Sequence, residues 1–288
     1  PYVHPYTDKN GDTVGFFSLV ITPPIVGSTI TTIESTGWIV ANPSVTRTVR
    51  VRLGFPGLTN NTFLNNSDMS FSRTTVVNGI VHSNGGVRFD GTTNSWVRSA
   101  RLTYSYGGAT RDGVWGIGGP TTFWQFPVPA VDFNSVTADL AALQTQADSG
   151  GIHLVSSGTD GWRMVFLADG TLDLYSVTRS CHGSFCYDIL NSTFVANHPI
   201  PENGAIFAED NVWVEGTVNG RVTVGAGRFP VLPSTYRDII ISGNLMYAET
   251  ASDDVIGLIA QRDIVVPRDV PDDMTIHAAA LAQFGRIY

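Results

Sequence analysis

The stretch "NGAIFAEDNVWVEGTVNGRVTVGAG", residues 203–227, restricts the fold more than any other part of the chain. Its apolar pieces are short, and each is ended by Gly, Asn or Asp. Glycine at this density opposes a helix, and strands this short do not build a conventional sandwich. Comparable pieces follow in "RDIIISGNLMYA", "DVIGLIAQRDIVV" and "MTIHAAALAQFG", at loose intervals of roughly 20 residues. Such strands bury themselves when the chain coils and each turn pairs with the turn below, as in the rungs of a right-handed β-helix or solenoid. Ile239, Ile241, Val255, Ile259, Ile264 and Val266 are the expected inward ladders. Because the repeat is imperfect, a two-sheet β-sandwich is the alternative.

The remainder of the chain reads as all-β with one exception. Residues 14–53 form an antiparallel unit in which Val49, Val51 and Leu53 alternate with Thr48, Arg50 and Arg52, giving one buried face and one wet face. Short strands resume over residues 71–106, and "GGATRDGVWGIGGP" reads as a Gly-rich break. Val136, Leu140, Leu143 and Ala147 recur at spacings of three and four, which predicts a helix near residues 135–147. Asn134 or Ser135 would cap it, and Gly150 and Gly151 would end it. Asp169-Gly170 between apolar arms predicts a hairpin. The expected organisation is an N-terminal β unit over residues 1–57, a β-helical domain from 58–130 and 201–288, and an inserted helix and hairpin with a Cys loop over 131–200.

The charge balance limits the partners. A net charge of −8 opposes nucleic acid and anionic membranes, and no apolar run approaches a membrane span. The chain starts at Pro1 with neither Met nor signal peptide, as expected of a processed protein whose export segment has been removed. Cys181 and Cys186 in "SCHGSFCYD" are spaced to close a small disulfide loop in an oxidising compartment. Zinc and free thiols are the competing readings, and His182 is poorly placed as a third ligand in so tight a loop.

Catalytic signatures are absent from the sequence. The six histidines are scattered, and there is no nucleophile elbow and no phosphate-cradling Gly loop. Glu209, Asp210, Glu215, Asp253, Asp254 and Asp263 cluster in the last third. Glycoside cleavage would need two of them facing across a cleft, whereas turn chemistry requires no such arrangement. Turns are the expectation, with Glu209, Asp210 and Glu215 at rung ends facing water. Trp96, Trp115, Trp124 and Trp162 with Phe123 and Phe126 would make either a sugar-stacking platform or core, "TTFWQFPVP" packing beneath the helix. Asp8, Asn10 and Asp12 in "TDKNGDTVG" have the alternate spacing of a calcium loop, but Leu19 occupies the place of its closing Glu. The loop is therefore a weak calcium candidate or a solvated turn, and no other cofactor is expected.

Several stretches together resemble one family. "TITTIESTGWIVANPSVTRTVRVRL" is similar to the β segment after the N-terminal helix of type IV pilin-like proteins of the PilX kind. "VVNGIVHSNGGVRFDG" resembles a rung of the same group. "IPENGAIFAEDNVWVEGTVNGRVTVGAGRFP" with "DVIGLIAQRDIVVP" resembles their C-terminal β-helical module. The hydrophobic prepilin helix of that family has no counterpart here. The resemblance implies an exported structural or adhesive cell-surface protein, extracellular and without catalytic activity, with pilus or surface proteins and glycans as partners. A carbohydrate-active or carbohydrate-binding β-helix is the alternative function.

Overall fold

The computed structural model of the chain describes residues 2–23, 30–54, 60–181, 187–250, 253–268 and 270–288. Two compact units form, Pro1–Asn60 and Asn61–Tyr288.

The first unit is an antiparallel meander of β1 (Tyr2–Thr7), β2 (Thr13–Thr22), β3 (Ile30–Ile39) and β4 (Asn42–Gly54) in sequential order. Its alternation is the expected one. Ile21, Ile33 and Val51 lie in one cross-strand row and Leu19, Ser35 and Val49 in the next, while the other face carries the Glu34–Arg50 ion pair. The expected burial is absent, because Val49, Val51 and Leu53 are 61%, 47% and 55% exposed. Alternation fixes which residues share a face and does not supply the layer that covers it.

The second unit is a parallel coil, which excludes the sandwich. β5 (Phe63–Asn65), β8 (Val81–Ser83), β11 (Val97–Ser99) and β15 (Trp124–Gln125) stack in parallel register. On a second side lie β6 (Met69–Phe71), β9 (Val87–Phe89) and β14 (Val114–Trp115), and on a third β7 (Val76–Val77) and β10 (Thr92–Thr93). The hairpin β12 (Thr103–Tyr106) and β13 (Ala109–Asp112) leaves the coil between β11 and β14. The helix α1 (Asn134–Asp148) follows.

After α1 a second stack forms from β16 (Ile152–Leu154), β20 (Ala205–Ala208), β22 (Arg221–Ala226), β24 (Val255–Ala260) and β26 (Ala279–Ala282). Facing it are β17 (Gly161–Leu167), β21 (Val212–Val218), β23 (Ile239–Tyr247) and β25 (Ile264–Val265), with β18 (Thr171–Ser180) and β19 (Ile189–Pro199) extending the edge antiparallel. Residues 131–200 are thus not wholly an insertion, since β16 and β17 pair with β20 and β21 as rung strands.

The last rung meets the first. β26 pairs in parallel with β5, Leu281 opposite Leu64, so both stacks form one nine-stranded sheet running from β16 to β15. The chain enters this coil in its middle, builds to one end, crosses back along α1, and builds from the far end to the entry point. Nine strands span about 38 Å, and the 15 residues of α1 return about 22 Å of that.

The helix explains why β20 is buried on both faces. Ile206 and Ala208 belong to the interior cluster. Phe207 projects outward, where α1 packs on β16, β20 and β22 and buries Leu140, Leu143 and Ala147. Gly225 permits the approach, because a Cβ there would lie 2.7 Å from Leu143 Cδ2. Phe133 takes the N-cap position without a side-chain cap bond, in place of the expected Asn134 or Ser135.

Interior ladders run through Val81 and Val97 on one stack and through Ile206, Val224 and Leu258 on the other, each full burial stabilising by about 1.5–3 kcal/mol. Ile239, Ile241 and Ile264 are buried as expected. Val255 and Ile259 are not inward, since Ile256, Leu258 and Ala260 take that face, and Val266 is partly buried. A second ladder, Asn65–Ser83–Ser99, is polar and fully buried. Ser83 Oγ donates to Ser67 O at 2.5 Å and Ser99 Oγ to Gly85 O at 2.7 Å, so these side chains satisfy carbonyls where the coil turns a corner.

Candidate functional site: an aromatic and arginine face

The face formed by β6, β9 and β14 is built by alternation. Met69, Phe71, Val87, Phe89 and Val114 point inward and are buried, which turns Ser70, Arg88 and Trp115 outward as one cross-strand row. The β12–β13 hairpin adds Tyr104, Tyr106 and Arg111, with Tyr104 directly opposite Arg111. Gly86 makes room for this arrangement, because a Cβ there would sit 2.2 Å from the Tyr104 ring.

The side chains hold one another in place. Trp115 Nε1 donates to Tyr104 Oη at 2.7 Å, and the Tyr106 and Trp115 rings meet edge to face at 5.2 Å. The Arg88 guanidinium lies 5.7 Å from the Tyr106 ring centre and 5.5 Å from that of Trp115, and Arg111 lies 4.7 Å from the Trp115 centre on its own approach, the geometry of cation–π attraction. Arg88 also donates to Tyr106 Oη at 3.2 Å and pairs with Asp90 Oδ2 at 2.6 Å. The Arg88 bond lowers the Tyr106 pKa, and burial raises that of Tyr104. Alongside runs an open groove of about 410 Å³ lined by Ser70, Phe71, Ser72, Arg73, Arg88 and Asp90. Flat apolar rings beside a charge-assisted Arg–Asp pair can stack a sugar ring and hydrogen-bond its hydroxyls.

The aromatic set read from the sequence is divided by the fold. Trp96 meets Phe123 edge to face at 5.6 Å. Trp124, Phe126 and Trp162 pack against the interior of the coil, not beneath the helix. Only Trp115 belongs to the groove face. Its partners were legible in "TYSYGGATRD", where Tyr104 and Tyr106 share one face before a Gly-Gly hairpin turn.

The carboxylates serve structural roles. Asp210 is not a water-facing rung end, because it is buried and accepts from Ser157 N at 2.5 Å, Ser157 Oγ at 2.9 Å and Ser156 Oγ at 3.2 Å. Glu215 is not a rung end either, because it lies within β21, on the side away from Val212 and Val214, where it is half-buried and accepts from Arg163 Nε at 2.6 Å. Glu209 lies 3.4 Å from His153 Nε2, and Asp148 holds the Nδ1 side at 2.6 Å. Asp254 accepts from Gly220 N and Glu249 N, and Asp263 from Arg286 N. Asp238, fully buried, accepts both Arg262 and the Asp263 amide, tying neighbouring rungs.

Asp8 Oδ1 accepts the amides of Asn10 at 2.8 Å and Asp12 at 3.0 Å, the chemistry of an Asx turn joining β1 to β2. Among the described residues no three His, Cys, Asp or Glu side chains are grouped to hold a metal ion. Cys181 directly follows β18, and its amide donates to Asp188 O at 2.9 Å. Cys186 and His182 lie outside the described residues, so the pairing of Cys181 with Cys186 remains an expectation. No helix among the described residues is long and apolar enough to cross a membrane.

No protein-family model and no curated protein matches the chain. Among solved structures, the competence-associated pilin ComZ from Thermus thermophilus aligns at 13% identity over 99% of this chain and 80% of its own, with a TM-score of 0.21. That score is too low to carry a shared fold.

Proposed function

We propose that this chain is an exported, non-catalytic surface protein that adheres through the Arg88–Trp115 face, and that what it holds there is a glycan. The observation that carries this reading is the pre-assembled set of Tyr104, Tyr106, Trp115, Arg88 and Asp90 beside the groove. A site whose rings and charges are already fixed loses little entropy on binding. Arg73 in the groove and Arg111 over Trp115 add positive charge on a chain of net −8, which favours a glycan bearing carboxylates. The finer proposal, a pilin-like component with other pilus proteins as partners, is supported by the sequence resemblance alone.

Binding to immobilised neutral and uronic-acid polysaccharides tests the reading. Retention of the acidic polymers is expected, with a loss of at least about tenfold on Trp115→Ala. No retention of any glycan, or retention that Trp115→Ala leaves unchanged, would remove the glycan assignment.

A further inference from the structure

The amino-terminal unit presents a sheet of one layer, with Val3, Phe16, Val20 and Trp38 beside the charged residues on one side and a larger apolar set on the other. Its apolar face carries Tyr2, His4 and Tyr6 on β1, Phe17, Leu19 and Ile21 on β2, Ile33 on β3, and Val49, Val51 and Leu53 on β4. Tyr2, Tyr6, Ile21, Val49, Val51 and Leu53 are between 47% and 63% exposed. The described strands of this unit form a single sheet, with no second layer over that face. A sheet with one apolar face is stable when that face is packed against another layer, and scattered exposed apolar residues do not make a surface this continuous.

We infer that this face packs against the same face of a second copy of the chain, forming a two-layer sandwich across a twofold axis. Three observations select that occupant. The first is area. Four strands about 4.8 Å apart and about ten residues long give a face of roughly 600 Å², so two copies would bury roughly 1,200 Å². That reaches the range of specific interfaces without any other contact. The second is charge. Between His4 at one margin and Arg47 at the other the face carries no charged residue, whereas Glu34, Arg50 and Arg52 all lie on the opposite side. A face that meets its own copy cannot offer charge complementarity along its centre, and this one requires none. The third is shape. The central row, Tyr2–Leu19–Ser35–Val49, has its smallest residue on an inner strand, where it leaves room for a side chain of the facing sheet to interdigitate.

The full chain in sedimentation equilibrium at about 10 µM is expected to show twice its 31.0 kDa, a concentration at which an interface of this size is populated. Val49→Lys with Val51→Lys should give monomer with an unchanged circular dichroism spectrum, and Thr48→Lys on the opposite face should leave the dimer intact. A short bis-maleimide should link Ser35→Cys to its own copy, and the wild-type chain treated identically should stay unlinked. A wild-type monomer at this concentration would overturn the inference, including one that binds neutral phosphatidylcholine vesicles through the same face. So would a dimer that survives the double lysine variant while Ser35→Cys fails to link. None of these readouts depends on glycan binding, so the two assignments fail independently.

Discussion

A double-mutant cycle across the interface of α1 with β22 tests the packing that closes the coil. Leu143 is buried, and its Cδ2 lies 2.7 Å from where a Cβ on Gly225 would be, with Phe207 Cδ2 at 3.1 Å and Leu140 Cδ2 at 3.3 Å. Leu143→Ala removes a nearly buried side chain and should cost about 2–3 kcal/mol, the lower part of the range for such truncations. In a unit of this size each kcal/mol lowers Tm by about 2–4 °C, so a fall of about 5–10 °C is expected. Gly225→Ala pushes a methyl into Leu143 and forces the helix outward, costing about 1–2 kcal/mol. In the double variant the new methyl enters the space that Leu143 vacates. The combined loss should therefore fall short of the sum by about 0.5–1 kcal/mol or more. Calorimetry with near-ultraviolet circular dichroism reads each variant. Losses additive within about 0.3 kcal/mol would refute the contact.

Three further expectations follow from particular residues. Thiol labelling under denaturing, non-reducing conditions should find neither Cys181 nor Cys186 free, and two labelled cysteines would overturn both the disulfide and the case for export. Calcium at Asp8, Asn10 and Asp12 would compete with two backbone amides for Asp8 Oδ1, so calorimetry should show binding no tighter than about 0.1–1 mM; no heat several-fold above that range removes the site. Burial holds His82 below its ordinary value of 6.5, the Asn84 bond opposing this and the Arg98 charge adding to it. The folded chain then binds fewer protons than the unfolded chain, so stability is full above about 6.5 and declines as pH falls below it. His82→Gln should flatten the decline of Tm between about pH 7 and pH 5, and an unchanged slope would contradict the assignment.

Local periodicity was legible and long-range order was not. The helix near residue 140 follows from spacing of three and four, the hairpin from Asp169-Gly170 between apolar arms, and the solenoid character of residues 203–227 from short strands each ended by Gly, Asn or Asp. The inward face of "DVIGLIAQ" was misread because both alternating sets are apolar there. Gly257, which occupies the outward set with Val255 and Ile259, was the available signal. The order of the rungs has no local signature. The steps from Ile152 to Ile206, Val224, Leu258 and Ala280 are uneven, because loops of different length leave the coil at each corner. The pairing of β26 with β5 joins segments from opposite ends of the unit. Composition likewise singled out the tryptophans, but Arg88 joins the site only because the coil stacks Val87 on Val114 and turns Arg88 towards Trp115.

The coil that opens in its middle is the claim on which the sheet order and the return path of α1 depend. Hydrogen exchange at the Ala280 amide tests it most directly. That amide donates to Thr62 O at 2.9 Å across the seam, so in the native chain it should exchange only with global unfolding, as core strands do. If β26 were instead a free edge, the Ala280 amide would face solvent and exchange at the rate of an exposed loop, and that result would contradict the fold described here.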